Sequence, residues 1–111
     1  GDSAQALQYL EDFVRMEKFL HGCQDCLNIA MVFHRVGLLS RQVGDAENAT
    51  LYLEESLRMM RSLYGNADRL HDNAAILHEL GLLSRESGDL GKGKQQLEES
   101  LRMKYFLLYG N

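Results

Sequence analysis

The chain has 111 residues and carries a formal net charge of −4, with 16 acidic and 12 basic side chains. This balance argues against nucleic acid as a partner, because binding to the phosphate backbone needs clustered lysine and arginine. We find no apolar run long enough to span a bilayer and no signal-peptide pattern, so we expect no membrane partner. The two cysteines, Cys23 and Cys26, are too close in sequence to staple a fold, which favours a reducing, cytoplasmic setting.

In chain order, the first predicted element is a helix of the same kind as one found later in the sequence. Tyr9-Leu10-Glu11-Asp12 corresponds to Tyr52-Leu53-Glu54-Glu55, and Arg15-Met16 corresponds to Arg58-Met59, at an offset of 43 residues. A second helix is predicted from about residue 25 to residue 43. Its apolar residues recur every three or four positions, which indicates a helix and not a strand: they are Ile29, Val32, Phe33, Val36, Leu39 and Val43.

Gly44 is predicted to end this helix, because a glycine adopts the left-handed conformation of a helix C-terminus at low cost. Asp45 follows as the predicted N-cap of a third helix, which ends near Tyr64-Gly65-Asn66. A fourth helix is predicted over about residues 68–87, then a turn at Gly88-Asp89, and a fifth helix from Leu90 to about Leu108.

An internal repeat with a period of 44 residues relates the last two helices to the preceding pair. Residues 34–64 are identical to residues 78–108 at 16 of 31 positions. Repetition at a fixed period of tens of residues is typical of a stacked repeat protein. Each helical hairpin cannot bury its apolar face alone, so neighbouring hairpins stack. We therefore predict an all-α fold, a right-handed α-solenoid of antiparallel hairpins with five helices and about two and a half units.

The whole chain, residues 1–111, is predicted to form one repeat domain. Its last helix ends in the apolar stretch of residues 102–109, RMKYFLLY, which is unusual for a capping repeat. Two interpretations follow. Either the chain is a fragment of a longer array, which we favour, or this end pairs with another copy.

The repeat unit resembles the tetratricopeptide repeat (TPR) family over essentially the whole chain. The residues that carry the resemblance are Phe33, Val36, Gly37, Gly44, Ala49 and Leu53 in one unit, and Leu77, Leu80, Gly81, Gly88, Gly93 and Leu97 in the next. The longer period, with Leu63-Tyr64-Gly65-Asn66 before the next unit, is similar to the extended repeats of kinesin light chains. The resemblance implies that the first helix of each unit lines a concave groove.

Carried over by position, the resemblance assigns a peptide-binding groove to ten residues: Met31, His34, Leu38, Arg41, Gln42, Ala75, His78, Leu82, Arg85 and Glu86. Arg41 lies seven residues after His34, two helical turns along one face, and Arg85 stands in the same relation to His78. Such columns suit a partner with acidic groups, since arginine pairs with carboxylates through two hydrogen bonds. The alternative is that these side chains form only a solvated inner face inherited by duplication.

The predicted function is that of a protein-interaction scaffold, in which the groove binds an acidic peptide or helix and Leu38 and Leu82 form an apolar floor. The alternative is a structural segment that oligomerises through its terminal helices, with Phe106 and Leu107 at the contact. The partner is a protein or peptide in both cases.

Neither catalysis nor a cofactor is expected. The pairs Glu54-Glu55 and Glu98-Glu99 recur with the repeat on an outer surface, and arginines four residues after Glu54 and Glu98 explain them as surface pairs. His21, Cys23, Cys26 and His34 have a spacing used by zinc sites, but Cys26 corresponds to Leu70 in the repeat, so a buried apolar role is favoured and no metal is expected.

Overall fold

The structure, a computed structural model, describes residues 2–21, 27–65 and 70–110. Within these ranges the secondary structure is helical, in five helices: α1 Asp2–His21, α2 Leu27–Gln42, α3 Ala46–Tyr64, α4 Leu70–Glu86 and α5 Leu90–Tyr109. This confirms the predicted all-α class and the order of the elements. The predicted first residues of the second and fourth helices, near 25 and 68, lie outside the described residues.

The chain divides into two compact units, Gly1–Leu63 and Tyr64–Asn111. The first unit contains α1, α2 and nearly all of α3, and the second contains the antiparallel hairpin of α4 and α5. Each unit is described below by itself.

The turns inside the two hairpins have the same hydrogen-bonded geometry. Gly44 has a φ of +87°, its N–H donates to the Arg41 carbonyl at 3.1 Å, and the Asp45 N–H donates to the Ser40 carbonyl at 2.8 Å. These two bonds define a Schellman motif, which needs a left-handed residue at the position of Gly44. The turn at Gly88 repeats both bonds at 3.1 and 2.9 Å, with a φ of +96°.

An aspartate caps the second helix of each hairpin, as predicted. A carboxylate oxygen of Asp45 accepts from the Asn48 N–H at 3.1 Å, and Asp89 accepts from the Lys92 N–H at the same distance. Each bond satisfies one backbone donor that has no partner within the first helical turn. The glycine and aspartate pair therefore ends one helix and begins the next.

The helices of each hairpin meet at a glycine and a leucine. A Cβ added to Gly37 would lie 2.6 Å from Cγ of Leu53, and one added to Gly81 would lie 2.6 Å from Cγ of Leu97. Carbon atoms in ordinary contact are about 3.5–4.0 Å apart, so each leucine occupies space that any other residue would need. The helices of the second hairpin also approach closely at Gly93, because its added Cβ would lie 3.0 Å from the Gly81 carbonyl oxygen.

A buried serine forms a second contact between the two helices of each hairpin. The Ser56 hydroxyl donates to the Ala30 carbonyl at 2.7 Å, and the Ser100 hydroxyl donates to the Ala74 carbonyl at 2.7 Å. Both serines are buried, so the hydroxyls would otherwise lack a partner. The repeat in the sequence is thus also a repeat in how adjacent helices pack.

In the first unit, α1 packs on α2 through one face only. Val14 is buried, and Nζ of Lys18 lies 5.1 Å from the centroid of the Phe33 ring. Several large apolar side chains of α1 remain exposed: Tyr9, Phe13, Met16, Phe19 and Leu20.

Candidate functional site

The second unit contains an open pocket of about 430 Å³ between the first half of α4 and the second half of α5. We call it the α4–α5 pocket. Eight residues line it: His71, Ala74, Ala75, His78, Glu79, Lys104, Leu107 and Leu108. Its volume falls in the range of about 300–1,000 Å³ that is usual for ligand sites.

Small and aliphatic side chains form the floor of the α4–α5 pocket. Ala74 and Ala75 leave space beside α4, while Leu107 and Leu108 provide apolar surface from α5. The bond from Ser100 to the Ala74 carbonyl fixes the distance between the two helices at this point. The pocket is therefore held open by the same contact that holds the hairpin together.

The polar rim of the pocket is mainly a source of hydrogen-bond donors. Nζ of Lys104 lies 3.3 Å from Nδ1 of His78, so an ammonium and an imidazole ring stand side by side on the rim. Among the described residues that line the pocket, Glu79 is the one acidic side chain. An apolar floor beside a lysine ammonium suits an apolar group that carries a carboxylate.

The predicted groove residues of α4 separate into two places. Ala75 and His78 line the α4–α5 pocket, whereas Leu82 is half-buried and Glu86 is exposed farther along the helix. Arg85 does not reach the pocket. Its Cγ would lie 2.8 Å from a Cβ added to Gly93, so its aliphatic stem lies across α5 at that glycine.

Arg85 instead borders a second cavity of about 380 Å³ on the other half of the same hairpin. The remaining lining residues are Leu90, Lys94, Leu97, Glu98 and Leu101. The seven-residue spacing of His78 and Arg85 is therefore real along α4, but their side chains serve different cavities.

The predicted groove residues of α2 belong to the first unit. Met31, Leu38 and Gln42 are exposed, and His34 and Arg41 are partly exposed. Their spacing places all five along one side of α2. This side is accessible to a partner, as the groove hypothesis requires.

Six pocket residues were missing from the predicted groove: His71, Ala74 and Glu79 of α4, and Lys104, Leu107 and Leu108 of α5. For the apolar stretch that contains the three α5 residues, the sequence favoured a fragment of a longer array, with self-association as the alternative. The repeat contains a signal that singles out Lys104, because it occupies the position of Met60, which is only 1% exposed. A charged residue at a position that is buried in the first hairpin indicates that this part of α5 has a role other than core packing.

The first unit has a smaller cavity, of about 200 Å³, where its three helices meet. Phe33 and Tyr52 stack there with ring centroids 5.7 Å apart, and Glu11 and Arg15 of α1 also line it. Burial, reinforced by the adjacent Glu11 carboxylate, raises the pKa of the Tyr52 phenol. We interpret this cavity as part of the packing of α1, because its aromatic rings are paired with each other.

The zinc hypothesis falls largely outside the described residues, which exclude Cys23 and Cys26. In the part of the chain that the structure describes, no three His, Cys, Asp or Glu side chains are grouped to hold a metal ion. Over the same ranges, none of the helices combines the length and hydrophobicity needed to cross a membrane.

Comparisons with known proteins do not assign this chain. No family model matches it, and a search of curated proteins finds no significant match. The function is therefore argued from the pocket and the repeat.

Proposed function

We propose that this chain is a protein-interaction scaffold of the tetratricopeptide type, and that the α4–α5 pocket binds an acidic amphipathic helix or peptide. The observation that carries the proposal is the combination of an apolar floor with Lys104 and His78 on the rim. A right-handed solenoid of about two and a half units is part of the same proposal. It is supported by the 44-residue repeat and by the matching hairpin contacts.

Apolar contact supplies most of the binding in this proposal. A helix presents one or two side chains to a groove at every turn, and those side chains enter the space above Ala74 and Ala75. Removing apolar surface from water contributes about 25 cal/mol per Å². The floor therefore favours leucine, methionine or an aromatic residue at the contact.

The rim then selects acidic partners. Lys104 is half-buried beside His78, so a carboxylate that reaches it loses less to solvent screening than it would at a fully exposed lysine. The side of α2 with His34 and Arg41 provides further donors on the first unit. A basic partner would place like charges together at Lys104 and bind more weakly.

The test uses two labelled helical peptides with the same apolar stripe, one with glutamates and one with lysines on the polar face. We expect fluorescence anisotropy to show tighter binding of the acidic peptide to the full chain. Lys104→Glu should weaken that binding about ten- to hundredfold, because a hydrogen bond to a charged group contributes about 1.5–3 kcal/mol.

Lys94→Glu is the matched control. It makes the same charge change on the same helix, but Lys94 lines the cavity near Arg85 and not the α4–α5 pocket. We expect this variant to bind the acidic peptide as the unchanged chain does. Equal loss in both variants, or equal binding of the two peptides, would contradict recognition at the pocket.

A further inference from the structure

Helix α1 has the properties of the helix that the α4–α5 pocket is proposed to bind. Its exposed residues Tyr9, Phe13, Met16 and Leu20 are spaced by four, three and four positions, which places them in one stripe. Such a stripe is the usual form of a helix that inserts its anchors into a groove.

The repeat shows that this face of α1 is one that the fold normally covers. Met16 corresponds to Met59 of α3 at the offset of 43 residues. Met16 is 62% exposed, whereas Met59 is 2% exposed. Ser56 lies on the same face of α3 and bonds to the Ala30 carbonyl of α2, and its counterpart in α1 is the exposed Phe13. Helix α1 therefore exposes the face with which α3 contacts another helix.

Helix α5 likewise exposes an apolar residue whose counterpart in α3 is buried. Leu101 is 67% exposed, while its counterpart Leu57 in α3 is 7% exposed. The exposed apolar surface continues through Tyr105 to Leu108, which lines the α4–α5 pocket. Both exposed faces are thus apolar, and each includes positions that are buried in α3, namely those of Phe13, Met16 and Leu101.

The charges of the two helices are opposite. Helix α1 contains four acidic and two basic residues, a net charge of −2, and α5 contains two acidic and four basic residues, a net charge of +2. Opposite charge on two apolar surfaces favours contact between α1 and α5 over contact of either helix with itself.

We propose that α1 of one copy occupies the α4–α5 pocket of a second copy, so that the chain self-associates head to tail. This inference rests on the proposed function, since it names the acidic helix that the pocket binds. The two surfaces in contact are different, so each copy keeps one donor helix and one pocket. Such heterologous contacts continue until a ring closes or a filament forms.

The experiment combines two variants that each remove one surface. Met16→Glu places a charge in the stripe of α1, and Leu108→Glu places one at the pocket. Both side chains are mostly exposed, so circular dichroism should show an unchanged helix content. Leu51→Glu is the control, because Leu51 is an exposed leucine of α3 outside both surfaces.

Light scattering after size exclusion measures the mass. We expect the unchanged chain and Leu51→Glu to increase in mass with concentration, and each of the other variants alone to remain monomeric. Mixing Met16→Glu with Leu108→Glu should restore one intact contact and produce a dimer that does not grow. Raising the salt concentration from about 50 to about 500 mM should weaken that dimer several-fold.

Three results would overturn the inference: a monomeric unchanged chain, self-association of either variant alone, or a mixture that stays monomeric. Self-association of Met16→Glu alone would indicate a contact of α5 with itself. If the unchanged chain is monomeric but the acidic peptide still binds at Lys104, the proposed function stands and only this inference fails.

Discussion

Replacing Gly37 by alanine tests the contact that holds the first hairpin together. The added Cβ would lie 2.6 Å from Cγ and 2.8 Å from Cδ2 of Leu53, and 3.3 Å from the Ala49 carbonyl oxygen. Ordinary contact is about 3.5–4.0 Å, so the leucine or the helix must move by about 1 Å. Leu53 is fully buried, so its side chain does not face solvent into which it could turn.

The expected free-energy change combines two opposing effects. Overpacking of this kind destabilises the folded state by about 1–3 kcal/mol, and the higher helix propensity of alanine offsets about 1 kcal/mol of that loss. We place Gly37→Ala at the upper end, a net destabilisation of about 2 kcal/mol, because neither side chain nor backbone can yield easily. Gly81→Ala should cost less, about 1 kcal/mol, because Leu97 is only half-buried and can rotate toward solvent.

Gly91→Ala is the matched control, since it makes the same change in a helix with no atom within 4 Å of the added Cβ. We expect it to stabilise the chain by about 0.5–1 kcal/mol. Urea unfolding followed by circular dichroism measures all three variants, and a loss of 1 kcal/mol lowers Tm by about 4–8 °C in a domain of this size. If Gly37→Ala is as stable as Gly91→Ala, the two helices are not in the described contact.

Four further substitutions each remove a single polar group. Ser40→Ala should raise the free energy of unfolding by about 1 kcal/mol, because its buried hydroxyl has no hydrogen-bond partner among the described residues. Ser84→Ala, at the equivalent position, should lower the free energy of unfolding by a similar amount, because the Ser84 hydroxyl donates to a glutamine side chain at 2.7 Å. Urea unfolding of both variants shows whether the two substitutions have opposite effects on stability. Ser100→Ala should cost about 0.5–1.5 kcal/mol in the same assay, since it removes a buried hydrogen bond between α5 and α4. The raised pKa of Tyr52 means that the folded chain holds this proton more tightly than the unfolded chain. Stability should therefore fall as pH rises above about 10, and fall less in Tyr52→Phe, as unfolding at several alkaline pH values would show.

The turns could be predicted from the sequence because their causes are local. Gly44 and Asp45 act through their own backbone and side-chain bonds within the nine residues from Ser40 to Asn48, and Gly88 and Asp89 repeat them. Helix periodicity is likewise a property of neighbouring positions. The class of fold and the order of helices follow from such patterns alone.

The pocket could not be predicted in the same way, because it depends on the register between two helices. In both hairpins a serine contacts the carbonyl of the residue 26 positions earlier. Lys104 and His78 are also 26 positions apart. The contact between Lys104 and His78 follows once the register between α4 and α5 is known. The sequence pattern of a single helix does not give that register.

Arg85 illustrates a second reason. The prediction grouped it with His78 because both lie on one side of α4. Its stem instead covers Gly93, where the missing side chain leaves space that a long aliphatic chain fills. Ala49 occupies the corresponding position in the first hairpin, so the two arginines need not point the same way. Side-chain direction here depends on a residue of the neighbouring helix.

Most of the residues that line the pocket differ between the two hairpins, and this difference bears on the proposed function. The residues that hold each hairpin together are the same in both: glycine against leucine, serine to carbonyl, and the glycine and aspartate of the turn. Five of the eight pocket residues differ from their counterparts in the first hairpin: His71, Ala75, Glu79, Lys104 and Leu108 replace Leu27, Met31, Arg35, Met60 and Tyr64. The shared contacts keep the second hairpin folded as the first one is. The five substitutions change only the surface that, under the proposed function, would contact a partner helix.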